Sequence, residues 1–233
     1  MSLRGSLKHI ARHSLPGVAV IPSRQAEWWR SVPTFPFNGR WHTAFCHVFN
    51  CGWPPSRMTE RAVELGLADT WLTNVEGPVT EVGAVTPYYW PGRVSRIVDP
   101  GDDHPRVTDH ASLFDLDFAQ TNVLCLSTLE HIGSGEYGQP KGARGPLNAL
   151  VHLTAACEGY LITVPFGWHS EVDSTIFTEK PPLPARYLVR SVDGNDWREC
   201  GALEARVPFQ ETEKQSSRAW SNGLAILSRG GGL

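Results

Sequence analysis

From residue 79 onward, short apolar runs alternate with polar stretches rich in glycine and proline. The runs at 79–82, 94–98, 106–108, 123–127 and 160–164 are mostly β-branched or leucine-rich, as expected of strands buried on both faces. Helical spacing appears between and before them. Over 56–72, Met58, Ala62, Val63, Leu65 and Trp71 recur near the helical period, and Glu60 places negative charge in the first turn. Over 146–157, Pro146 opens a helix and Leu147, Leu150, Val151 and Leu153 form its apolar face; Glu158-Gly159 then closes it. This alternation predicts an α/β fold with a largely parallel sheet and helices on both faces. Farther on, 187–192, the turn Asp193-Gly194-Asn195 and 197–200 predict a hairpin, and 224–228 a last strand. Residues 1–55 are different. Trp28, Trp29, Phe35, Phe37, Trp41 and Trp53, mixed with prolines, lack regular periodicity and suit an aromatic-lined cap or lid.

Composition narrows the picture. The 233 residues suffice for one well-buried domain with appendages. An apolar share of 41% and a charged share of 19% are those of a soluble globular chain. The net charge of -3 gives no overall pull toward nucleic acid and favours a small-molecule partner. Cys46, Cys51, Cys125, Cys157 and Cys200 form no Cys-x-x-Cys pair, so neither a disulfide framework nor a zinc finger is expected and a cytoplasmic location is. No apolar run approaches the ~18 residues of a membrane span. The first 26 residues carry Arg4, Lys8, Arg12 and Arg24 without an acid. They read either as a basic segment folded over an anionic ligand or as a solvated helix.

Chemistry-bearing residues gather where strands are expected to end. In open α/β sheets, ligands bind outside the carboxyl ends of the strands. Ser127-Thr128-Leu129-Glu130-His131-Ile132-Gly133 follows the apolar run 122–126 and sets a carboxylate beside an imidazole. His131 reads as a general base or substrate anchor, since its pKa lies near neutrality, or as a loop residue bonded to backbone. Thr80-Glu81-Val82-Gly83 ends on acid and glycine, and Ile97-Val98-Asp99 on an aspartate that also fits a turn before Pro100-Gly101. His9 and His13 are four apart, yet no metal-ligand cluster stands out among the nine histidines, and no metal is expected. A serine-hydrolase elbow of the Gly-x-Ser-x-Gly type is absent.

The ordered series Glu81-Val82-Gly83, Val98-Asp99, Ser127 to Gly133 and Val164-Pro165-Phe166-Gly167 resembles the class I S-adenosylmethionine-dependent methyltransferases, in particular bacterial members. The resemblance runs over about 56–228. It implies a Rossmann-like domain of seven strands over 56–233, beneath a helical and aromatic cap over 1–55. It also implies S-adenosylmethionine as cofactor, with Glu81 and Gly83 beside its methionine part and Asp99 accepting from both ribose hydroxyls. Asp109 and His110 would meet the adenine edge, and Ser127 would lie near the sulfonium. Glu130, His131, Tyr137 and Trp168 would line the reacting centre, with Trp168 offering a π face to the cation. The glycine-rich loop departs from the family pattern, because Ala84, Val85, Thr86 and Pro87 follow Gly83. The following Tyr88-Tyr89-Trp90 tip could pack over the cofactor.

Methyl transfer to a small molecule is the simplest activity implied. Cyclisation or lyase chemistry on the cofactor's own amino-acid arm is the alternative, forming a small-ring amino acid such as azetidine-2-carboxylate and releasing methylthioadenosine. A third reading is a catalytically degenerate binding module. The expected partners are a small-molecule substrate or S-adenosylmethionine itself, without nucleic acid or membrane, in a monomer or homodimer.

Overall fold

The computed structural model describes residues 34–45, 58–135, 144–191, 196–206 and 221–233. The chain is mixed α/β. In order, its elements are β1 (Thr34–Phe37), β2 (Arg40–Thr43), α1 (Glu60–Asn74), β3 (Val79–Val82), β4 (Arg96–Val98), β5 (Asn122–Leu126), α2 (Pro146–Ala156), β6 (Tyr160–Pro165), α3 (Ser170–Ile176), β7 (Arg186–Arg190), β8 (Trp197–Cys200) and β9 (Gly223–Arg229). Single 3-10 turns stand at Thr86–Tyr88, Leu113–Asp115 and Leu129–His131.

Strands β3 to β9 form one seven-stranded sheet in the order β4-β3-β5-β6-β9-β7-β8. The β4-β3-β5-β6 half is parallel, whereas β9 runs antiparallel to both β6 and β7, and β8 antiparallel to β7. After β3 the chain moves outward to β4 and then returns to the other side of β3 as β5. That reversal opens a crevice at the carboxyl ends of β3 and β5, the place where open α/β sheets take ligands.

Side-chain alternation sorts the core into two layers. Val123 and Cys125 of β5, Ile162 and Val164 of β6, and Ala225 and Leu227 of β9 face α2 and α3. Leu124, Leu126, Leu161, Leu224 and Ile226 face the opposite side, against Ala62, Val63, Leu65 and Ala68 of α1. Both faces are covered, so these strands read as continuous apolar runs.

Three expectations need correction. Residues 106–108 form no strand. Val98 and Asp109 make one isolated parallel bridge, and Thr108 and Asp109 both donate backbone hydrogen bonds to Ile97. Pro105 lacks a donor, the His104 ring accepts from the nearby Arg106 N–H, and the Thr108 hydroxyl takes up the Ile97 backbone of β4, so the ladder stays one bridge long. The crossover after β4 carries only the Leu113–Asp115 3-10 turn, too short for the helix that alternation suggested; the one before it, where the spacing of 86–93 leaves room for only a very short helix, carries the Thr86–Tyr88 turn. Within 1–55, the described residues 34–43 form the β1–β2 hairpin instead of helical or irregular cap, paired from Thr34↔Thr43 to Phe37↔Arg40. Its turn is Asn38-Gly39 with φ +50° and +71°, the backbone that this dipeptide favours in two-residue hairpins. Phe35 and Phe37 are buried in the α1 layer. Gly66 of α1 permits that approach, because a Cβ there would lie 2.2 Å from the Thr43 carbonyl oxygen. Residues 1–33 and 46–55 and the turn 193–195 lie outside the described residues.

Candidate functional site

Each strand end at the crevice is fixed by its own loop. Glu81, wholly buried at the end of β3, accepts from Val85 N at 3.1 Å, Thr86 N at 2.7 Å and Thr86 Oγ1 at 2.5 Å. These bonds fold the next loop into its 3-10 turn. Burial pushes the carboxyl up to about 7, against the opposing pull of the Thr86 and Val85 bonds. Gly83 has φ +84°, and a Cβ on it would sit 2.1 Å from Thr128 Oγ1. The space that glycine leaves is therefore filled by Thr128 rather than held open for a ligand.

Asp99 ties two loops together. Its Oδ2 accepts from Ala84 N, and its Oδ1 from Gly101 N and Asp102 N, each at 2.9 Å. A carboxylate has about four lone-pair sites, so about one remains, enough for one hydroxyl rather than a ribose pair. Asp109 is committed to Arg96 through a two-pronged ion pair at 2.7 and 2.8 Å. That guanidinium holds the carboxyl down to about 2, while His110 is exposed beside it. The aromatic tip also has local partners. Tyr88 donates its hydroxyl to Asp102 at 2.8 Å, and Tyr89 and Trp90 set their rings against Phe45 at 6.2 and 4.9 Å.

The most heavily charged part of the crevice lies above β5 and β6. Ser127 follows β5 directly, and its φ of +42° is rare for a residue with a Cβ. The turn aims its hydroxyl at Glu64 of α1, to whose Oε1 it donates. Thr163 of β6 donates to the same oxygen at 2.6 Å. Glu64, wholly buried, thus joins helix to sheet. Its Oε2 lies 3.2 Å from Arg61 NH1, an ion pair misaligned for hydrogen bonding, since neither atom has a hydrogen-bond partner. Oε2 of Glu60 and Oε2 of Glu130 are likewise buried without hydrogen-bond partners.

Burial and the neighbouring Glu64 push Glu60 up to about 8. Burial, with Glu64 and Glu60 nearby, raises Glu130 well above the carboxylate range. His131 Nε2 lies 3.6 Å from Glu130 Oε1, and the His131 ring meets the edge of Trp168 at 5.7 Å between centroids. Trp168, 41% exposed, follows a turn in which Gly167 N donates to both oxygens of Asp173, at 3.0 and 3.2 Å.

Of the residues expected at the site, Ser127, Glu130, His131 and Trp168 therefore gather at one place. Glu81, Gly83 and Asp99 stand at the adjoining strand ends with much of their capacity used locally. Asp109 and His110 lie beyond β4, and Tyr137 lies outside the described residues. The sequence reading missed Glu60 as a site residue, together with Arg61, Glu64 and Thr163. A signal existed: Glu60 and Glu64 stand one turn apart within a stretch otherwise holding Ala62, Val63, Leu65, Leu67 and Ala68, so acids and apolar residues must share the buried side. Among the described residues no group of His, Cys, Asp and Glu is arranged to hold a metal ion, and no helix is long and apolar enough to cross a membrane. Comparison with protein-family models, curated proteins and solved structures returns no match.

Proposed function

We propose that the protein is a Rossmann-like, S-adenosylmethionine-dependent enzyme acting on a small molecule, most simply a methyltransferase. The observation that carries this reading is the sheet order. A parallel β4-β3-β5-β6 half meets an antiparallel half, and the reversal of strand order lies between β3 and β5, beside Asp99 and the Ser127 to His131 turn. The donor set fits the cofactor in part. Asp99 can accept one ribose hydroxyl, and the orphaned buried polar atoms of Arg61, Glu64 and Glu130 call for a polar occupant. Gly83 does not fit its expected role, because Thr128 fills the space beside it.

When bound, the cofactor supplies a methyl group already activated by its sulfonium, so the protein's task is chiefly alignment and exclusion of water. Trp168, with His131 against its ring, forms an aromatic wall suited to a cation without hydrogen-bond donors. Glu130, whose burial raises its affinity for a proton, accepts in its ionised form the proton of a hydroxyl or ammonium nucleophile. His131 stands beside it to carry that proton toward solvent.

Cyclisation or lyase chemistry remains the second reading, because a buried proton acceptor also serves an attack by the cofactor's own α-amine. Incubating the purified chain with S-adenosylmethionine and identifying the nucleoside by mass decides among these. Adenosylhomocysteine formed only with an added acceptor is the expected outcome. Methylthioadenosine formed without an acceptor assigns the second reading. Binding without turnover leaves a binding module, and no binding removes the proposal.

A further inference from the structure

Above β5 and β6, charged groups from two elements converge with their charges out of balance. Glu60, Arg61 and Glu64 come from the first turns of α1, and Glu130 comes from the turn after β5. Arg61 stands at ion-pair distance from Glu64, and Ser127 and Thr163 also hold that carboxylate. Glu64 is therefore compensated. Among the described residues, Glu60 and Glu130 have no such arginine or hydroxyl contact: like Glu64 Oε2, one oxygen of each is buried without a hydrogen-bond partner, and Glu130, its side chain 1% exposed, has His131 Nε2 3.6 Å from its other oxygen. Nearby, Glu81 is occupied by Thr86 and Val85, and His131 faces Trp168. Among the described residues, three carboxyls thus stand around one arginine, with the His131 imidazole beside Glu130.

We infer that Glu60, Glu64 and Glu130 receive a protonated amine of the ligand. The inference rests on the reading of this crevice as the reaction site and names the ligand chemistry it takes. An anion is repelled by the surplus acids. A neutral hydroxyl brings one donor and no charge, so it satisfies one oxygen and leaves the other buried. An ammonium brings three donors and the missing positive charge, and charge-assisted bonds of this kind are the strong ones. A metal ion would also supply the charge, but among the described residues no group of three His, Cys, Asp or Glu is arranged to hold one, whereas an ammonium with its own N–H donors need not touch all three carboxyls at once.

Two sources share this chemistry: the α-amino group of S-adenosylmethionine, and an amine on a separate substrate. The upward displacement of Glu130 adds a consequence. Burial favours the neutral form of its carboxyl and an arriving cation favours the charged form, so arrival of the cation drives release of a proton.

The test is calorimetry on the full chain at pH 7, in two buffers of different ionisation enthalpy. The probes are S-adenosylmethionine and its analogue with a hydroxyl in place of the α-amino group, then n-butylammonium and n-butanol at millimolar concentration. In at least one pair, the ammonium member should bind about tenfold or more tightly than the hydroxyl member and release up to about one proton to the buffer. Glu130→Gln, which imitates the neutral acid, should abolish the release and most of the preference; Glu60→Gln provides the same comparison should the first variant fail to fold.

A preference confined to the first pair assigns the cofactor's arm, and one confined to the second pair a separate amine substrate. Binding of n-butylammonium without any binding of S-adenosylmethionine would end the proposed function and leave this inference standing. Equal binding within both pairs overturns it even if S-adenosylmethionine binds, as does a preference that survives the substitutions.

Discussion

At the scale of single residues, the site is built from side chains whose capacity is largely spent on the protein itself. Asp99 satisfies three backbone N–H groups, Glu81 two and a hydroxyl, and Asp109 a guanidinium. Gly83 is the clearest instance, because the close approach it allows is that of Thr128. Gly83→Ala should therefore destabilise the ligand-free protein by about 2–4 kcal/mol, combining a Cβ clash with a left-handed backbone. In a Thr128→Ala background the same change should cost about 1–2 kcal/mol less, since Oγ1 and Cγ2 are gone while Thr128's own Cβ site at 2.9 Å remains. Urea titrations of the four proteins measure this. Strict additivity, with an effect only on cofactor binding, would return Gly83 to the role expected from sequence.

Elements are joined at the strand ends by buried carboxyls, which gives stability a definite pH dependence. Glu81 couples β3 to its 3-10 turn and is raised from an ordinary 4.5 to about 7; Glu60, at the start of α1, is raised to about 8. A raised acid binds its proton more tightly in the folded than in the unfolded chain. Its contribution is complete below about 4.5 and is lost as pH rises through the folded value. Stability should fall between pH 5 and 8, by at most about 3 kcal/mol from Glu81. Asp109 acts in the opposite sense, being lowered from 3.8 to about 2, so its contribution is lost only as the medium becomes strongly acid and does not overlap this window. Melting temperatures across pH 5–8 should decline for the natural chain and decline less for Glu81→Gln. A slope untouched by that substitution would show that the carboxyl is ionised in the fold.

For the whole molecule, the hairpin belongs to the same core as the sheet. Phe35 and Phe37 pack in the α1 layer with Leu124, Leu161 and Ile226. Asn38 N donates to Glu199 Oε2 of β8 at 3.0 Å, and Arg40 NH1 to the carbonyl of Gly232 at 3.1 Å. Phe37→Ala should cost about 3–5 kcal/mol and shift tryptophan fluorescence and far-ultraviolet dichroism by the same amount in one transition. A loss below about 1 kcal/mol, or two separated transitions, would make the hairpin a detachable lid.

Local pattern alone was enough to place β3, β5, β6, β9, α1 and α2, because runs buried on both faces and helical stripes are written in consecutive residues. It also marked Ser127, Glu130 and His131, which follow an apolar run directly. The hairpin was legible too, in Asn38-Gly39, though aromatic crowding obscured it. What tertiary structure decided were relations between residues far apart in the chain. Whether 106–108 became a strand depended on what β4 could offer Asp109. Whether Gly83 left room for a ligand depended on Thr128, and how many sites Asp99 kept depended on the loop after β3. The set of Glu60, Arg61, Glu64 and Glu130 exists only because α1 lies across the ends of β5 and β6, where Ser127 and Thr163 reach one carboxylate from two strands. A sequence lists acids and their spacing; burial and the distances between charges, which set what those acids can bind, arise only when distant segments pack.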